Sequence, residues 1–133
     1  RLNDLIALLD NCPALPSFVC LSETWLKDSD KVNLNNYIFI ANNREDSGGG
    51  VAIAIRSDIN FVVSHITLGE ELLSKYNINF CCIKFKINQV YHRLISVYNP
   101  PNNTLVDNET SFWDNFFAKF NNNRNFIIIG DFN

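Results

Sequence analysis

The chain has 133 residues with 47% hydrophobic and 19% charged residues, an ordinary globular composition and, by length, one domain spanning 1–133. Eleven Lys and Arg against fourteen Asp and Glu give a net charge of −3, which counts against a general nucleic-acid-binding surface but not against an enzyme that grips phosphates through a metal and a few local donors. No apolar run reaches membrane-spanning length, so a transmembrane helix and a membrane partner are excluded.

In chain order, Leu2, Leu5, Ile6 and Leu9 form a helical stripe, ended by Asn11 and Pro13. Phe18–Leu21 is a short continuous apolar run, expected as a strand buried on both faces and ending in Ser22-Glu23-Thr24-Trp25. Tyr37–Ala41 reads as a strand. A polar stretch from Asn42 to Ser47 leads to Gly48-Gly49-Gly50. These glycines lack a Walker lysine and precede a strand rather than a helix, so they predict a tight lead into Val51–Ile55, not a phosphate cradle. Ser57-Asp58 marks a turn, and Phe61–Val63 then resumes as the second arm of a hairpin. Ile78–Ile87 alternates, with Ile78, Phe80, Cys82 and Lys84 on one face and Cys81, Ile83, Phe85 and Ile87 on the other. Arg93–Tyr98 is the next strand, stopped by Pro100-Pro101.

A helix follows, with Asp107 or Asn108 as its cap and Glu109 near its positive end. Its aromatic stripe, Phe112, Trp113, Phe116, Phe117 and Phe120, is a core face, and Asn121-Asn122-Asn123 ends it. Phe126–Ile129 reads as a buried strand, so the stretch from Leu94 to Ile129 predicts a strand–helix–strand crossover onto a sheet. The four cysteines show no CxxC spacing, and His65 and His92 stand far apart, so small buried thiols in a reducing intracellular compartment, nuclear or cytoplasmic, are expected. No targeting signal is visible. Arg1 at the start and the stop after an apolar strand lead to the expectation of a piece of a longer protein.

Five residues carry candidate chemistry. Asp131 and Asn133 follow the last strand and Gly130, where a carboxylate can hold a hard cation and an amide can orient a phosphate; the same residue types also build an Asx-type turn. Glu23 repeats that placement after the first strand, although it could equally cap a turn or sit in solvent. If both strands run the same way in neighbouring sheets, the two carboxylates emerge at one rim, and a magnesium ion would offset their repulsion. Tyr98 ends its strand before Asn99-Pro100-Pro101-Asn102, which aims its phenol either at a phosphate oxygen or simply along a sheet edge. Arg44 lies in the polar loop, able to reach a phosphate or to stay solvated.

Ser22-Glu23-Thr24-Trp25-Leu26, Gly48-Gly49-Gly50-Val51-Ala52-Ile53, Val97-Tyr98-Asn99-Pro100-Pro101-Asn102 and Gly130-Asp131-Phe132-Asn133 follow in one order. This series resembles the endonuclease/exonuclease/phosphatase superfamily, and within it the apurinic-type endonuclease domain of non-LTR retrotransposons. The resemblance implies an incomplete four-layer, DNase-like two-sheet α/β sandwich. It implies Mg²⁺-dependent, or Mn²⁺-dependent, hydrolysis of a DNA phosphodiester that nicks one strand to prime reverse transcription, with a reverse-transcriptase domain on the same parent chain. By position it makes Glu23 the metal ligand and Asp131 the residue that aligns or activates water. Asn133 and Tyr98 would then address the phosphate, with Asn102 and, more weakly, Arg44 on the DNA. Two features of the family are not found in the chain: an active-site asparagine on a strand before the first helix, and a Ser-Asp-His segment after the last motif. Little nicking by the 133 residues alone is therefore expected. A phosphoesterase of the same superfamily acting on lipid or inositol phosphates, or a non-catalytic remnant, remain alternatives.

Overall fold

The computed structural model describes residues 2–44, 48–66, 70–107, 111–118, 120 and 125–133. Among them, helix α1 spans Leu2–Asp10, followed by strands β1 (Phe18–Ser22), β2 (Tyr37–Asn42), β3 (Val51–Arg56) and β4 (Phe61–Val63). Helix α2 (Glu70–Lys75) leads to β5 (Asn79–Ile87) and β6 (Val90–Tyr98), then to α3 (Thr104–Asp107), α4 (Phe112–Ala118) and β7 (Phe126–Asp131).

The strands form two sheets. One has the order β1-β3-β2, all antiparallel. The other has the order β4-β5-β6-β7, antiparallel except for the parallel pair β6 and β7. Three apolar clusters stack these elements into four layers. Between the sheets lie Val51, Ile53 and Ile55 of β3 against Cys81, Ile83 and Phe85 of β5 and Leu94 and Tyr98 of β6. On the outer face of the second sheet, Ile78, Cys82, Ile95 and Val97 pack against Leu73, Phe112, Phe116 and Phe120. On the outer face of the first, Ala54 and Tyr37 meet Leu9, Leu5 and Ile6 of α1. The architecture is the four-layer α/β sandwich expected from the sequence, and the alternation along β5 sorts its residues into two different cores as a period of two requires.

The structure corrects several expectations. Phe61–Val63 is not a hairpin arm with β3: the turn at Ser57-Asp58 exists, but the chain there crosses from one sheet to the other and β4 pairs with β5. Arg56 fixes this crossing by donating to Asp58 at 2.6 Å and to the carbonyl of Leu15 at 2.8 Å. Phe18–Leu21 is an edge strand and half-buried, not buried on both faces, because α1 and the second sheet cover it only in part. The last strand likewise lies at a sheet edge, and Ile127 and Ile129 are exposed. Asp107 ends α3 instead of capping the aromatic helix, which begins at Phe112; Asn108, Glu109 and Asn121–Asn123 lie outside the described residues. Within the stripe, Phe112, Phe116 and Phe120 are core, whereas Phe117 is exposed. The expected crossover holds, since β6 and β7 are parallel and joined through α3 and α4. Among the described residues no helix is long and apolar enough to cross a membrane.

Candidate active site

The C-terminal ends of β1, β6 and β7 meet at one rim of the sandwich. Tyr98, the last residue of β6, faces the core between the sheets and is buried. Its hydroxyl crosses to the other sheet and donates to Glu23 Oε1 at 3.0 Å. Asp131 is the parallel register partner of Tyr98, and partners in a parallel ladder point to the same face, so its carboxylate leaves the sheet on the Glu23 side. Two acids separated by more than a hundred residues thus flank one phenol. Burial holds that phenol above its ordinary pKa; the bond to Glu23 and the negative charges of Glu23 and Asp131 push the same way, and Arg44 pulls it back. Tyr98 therefore stays a hydrogen-bond donor at neutral pH.

Local backbone explains how Glu23 gets there. Glu23 and Trp25 occupy the left-handed region, with φ of 52° and 56°, which costs a non-glycine residue about 1–2 kcal/mol. The segment is held open by the glycine run: Trp25 N–H donates to Gly49 O at 2.8 Å and Thr24 N–H to Gly50 O at 3.4 Å. The glycines do more than lead into β3. At Gly49, with φ of 93°, an added Cβ would lie 2.7 Å from Arg44 Cδ and 3.0 Å from the Tyr98 ring, so the bare backbone is what lets Arg44 and Tyr98 close over the site.

On the β7 side, Asp131 Oδ1 accepts from Asn133 N–H at 3.1 Å, which is the Asx-type turn. The Asn133 amide donates to the carbonyl of Asn99 at 2.9 Å. Asn99, fully buried, answers by donating its side chain to the carbonyls of Phe132 and Asn133, and its backbone N–H to Asp131 O at 2.8 Å. Its own amide oxygen accepts from Asn103 at 2.8 Å. Sequence reasoning passed over Asn99 as part of a proline-rich exit; the only signal was an asparagine between a strand and two prolines. It also passed over Asn79, the antiparallel partner of Tyr98, whose amide oxygen is buried and, among the described residues, without a hydrogen-bond partner.

The other two candidates lie close by. Asn102, at φ of 57°, and Arg44 line one depression of about 250 Å³ with Pro100, Pro101 and Thr104. The structure thus brings Glu23, Tyr98, Asp131 and Arg44 to one rim, ties Asn133 to it through Asn99, and sets Asn102 beside Arg44. The donor set at the centre is all oxygen: two carboxylates, a phenol and an orphaned amide oxygen. That chemistry fits a small hard divalent cation, which takes one or two carboxylates together with water and phosphate. No group of three or more His, Cys, Asp or Glu side chains suited to a metal ion forms among the described residues. The thiols stand apart from this chemistry: burial raises Cys20, against the pull of a hydrogen bond from Ser96, and pushes Cys81 up to about 12.

The family described as Endonuclease/Exonuclease/phosphatase matches residues 1–133, the whole chain. A search of curated proteins found no match.

Proposed function

Because the chain belongs to the Endonuclease/Exonuclease/phosphatase family, whose members are hydrolytic nucleases or phosphatases, we propose that it is the active-site-bearing part of a magnesium-dependent DNA endonuclease of the non-LTR retrotransposon kind. In this reading it nicks target DNA by phosphodiester hydrolysis to prime reverse transcription by a domain on the same parent chain. The observation that carries the proposal is the Tyr98–Glu23 hydrogen bond, which joins the two sheets beside Asp131. The order of the four motifs supports the retrotransposon branch in particular.

Glu23 would hold the cation through its carboxylate, with Asp131 beside it on the same rim. Magnesium, when bound, contributes positive charge that polarises the phosphate and stabilises the departing oxygen. Asp131 keeps one carboxylate oxygen outside its Asx turn and uses it to align the attacking water and accept its proton. Tyr98, protonated because burial and two acids disfavour phenolate, turns its O–H from Glu23 to a non-bridging phosphate oxygen. Asn133 carries two amide N–H groups; one holds the Asn99 carbonyl and the other orients the phosphate. Arg44 and Asn102 contact the DNA backbone on either side of their shared depression.

Relaxation of supercoiled plasmid with magnesium, with the protein's flanking residues in place, tests this function. Asp131→Ala and Glu23→Gln should each lower the nicking rate by about 10²–10⁴. Equal nicking by Asp131→Ala would remove the role assigned to Asp131. Hydrolysis of an inositol phosphate without plasmid nicking would move the activity to another substrate.

A further inference from the structure

The helix-bearing face of the second sheet is only half covered. Its inner rows, Cys82, Ile95 and Val97, lie under α2 and α4. Towards the β5–β6 hairpin the same face carries Val62, Lys84 and Arg93 in one row and Lys86 and Tyr91 in the next. Lys84 Nζ stands 4.0 Å and Lys86 Nζ 4.6 Å from the centroid of the same Tyr91 ring, which is 51% exposed. Arg93 lies over Phe126 at 5.4 Å and reaches Ser64 Oγ at 3.4 Å. The four strands β4–β7 contain one carboxylate, Asp131, and it sits at the opposite rim on the other face. Among the described residues, the acid that lines the adjoining groove is Asp58, which Arg56 already holds at 2.6 Å.

We propose that this strip binds single-stranded nucleic acid, with Lys84, Lys86 and Arg93 on successive phosphates and Tyr91 stacked on a base. Three cations crowded on one face, none of them in an ion pair among the described residues, in a chain of net charge −3, call for a polyanion. The aromatic ring between the lysines favours a nucleic acid over an acidic peptide, since every base offers a π-face. An exposed ammonium–ring contact is weaker than base stacking, so a base displaces a lysine from the ring and frees its charge for a phosphate. A single strand fits better than a duplex, whose bases are already stacked. Tyr91 is seven strand positions from Tyr98, about 23 Å at the usual rise, so the strip is separate from the catalytic rim and does not depend on the nuclease reading.

Fluorescence anisotropy of a fluorescein-labelled oligo(dT) 20-mer, at low salt with EDTA, tests the proposal on the chain itself. Lys84→Glu/Lys86→Glu should weaken binding at least tenfold, and Lys84→Gln/Lys86→Gln should flatten the slope of log affinity against log salt by about 1.4, the value for two lost phosphate contacts. Tyr91→Ala should weaken binding about fivefold with a smaller change in that slope. Circular dichroism melts of all three variants should match the parent, since these side chains are outside the core. Unchanged oligonucleotide affinity in both lysine pairs would overturn the proposal. Equal binding of a polyglutamate peptide, with no effect of Tyr91→Ala, would overturn it in favour of an acidic protein partner.

Discussion

Tyr98 has two jobs that pull on the same atom. Its ring belongs to the core between the sheets, and its hydroxyl bonds Glu23 at the solvent rim. The folded protein holds the phenol's proton more tightly than the unfolded chain does, because burial and the two acids disfavour phenolate. A group whose folded pKa is raised contributes stability that is complete below its unfolded value, near 10, and is lost as pH climbs through the folded value. The chain should therefore lose stability above about pH 10, and Tyr98→Phe should lose less over the same range. Tyrosinate absorbance followed during alkaline titration provides the check. One late-titrating phenol should be lost in Tyr98→Phe, leaving that of Tyr37, which burial also raises, and Tyr98's share should move to lower pH in Glu23→Gln. An unchanged titration in both variants would mean that Tyr98 does not feel Glu23. Asn99 shows a different economy: one buried amide and its backbone groups bind three successive residues of the β7 exit, Asp131 through Asn133, and so fix the turn that presents Asp131.

Among the elements, β7 shows why a short motif has its glycine. An added Cβ at Gly130 would fall 1.9 Å from the Val97 carbonyl oxygen, within the parallel pairing of β6 and β7. Gly130→Ala must push the two strands apart and should destabilise the chain by about 3 kcal/mol, the upper range for overpacking a close contact. Urea unfolding measures this, and a loss below about 0.5 kcal/mol would show that the strands are not so closely apposed. The strands themselves were legible because burial on opposite faces writes a period of two into the sequence, clearest from Ile78 to Ile87. What was not legible was partnership. The turn at Ser57-Asp58 has the same local chemistry whether the next strand pairs with β3 or crosses to the other sheet, and only the packing of β4 against β5 decides it. The burial of β1 and β7 was overestimated for a related reason: an apolar run reports its own hydrophobicity, not whether a neighbour covers it. In the site, the acids and the tyrosine stood out because strand ends are few. Asn99 and the wall formed by Gly48–Gly50 did not, because their roles lie in contacts with backbone and side chains far along the chain, and Asn79 did not, because only its pairing opposite Tyr98 brings its amide to the site.

At the scale of the whole molecule, the two sheets bring strand ends from distant parts of the sequence to one edge. Layering does this without any local signal: the core between β3 and β5 sets the spacing of the sheets, and the ends of β1, β6 and β7 follow. The charge pattern follows the same plan. Acids gather at the rim with Tyr98, and the lysines of β5 gather towards the opposite end of the strands. The central claim is that Glu23 and Asp131 serve one divalent cation. Paramagnetic broadening by substoichiometric Mn²⁺ in amide-resolved NMR tests it most directly. The account predicts that signals from Glu23 to Trp25 and from Asn99 and Asp131 fade together, and that Glu23→Gln abolishes the fading at both segments. Broadening confined to one segment, or fading at Asp131 that survives Glu23→Gln undiminished, would contradict it.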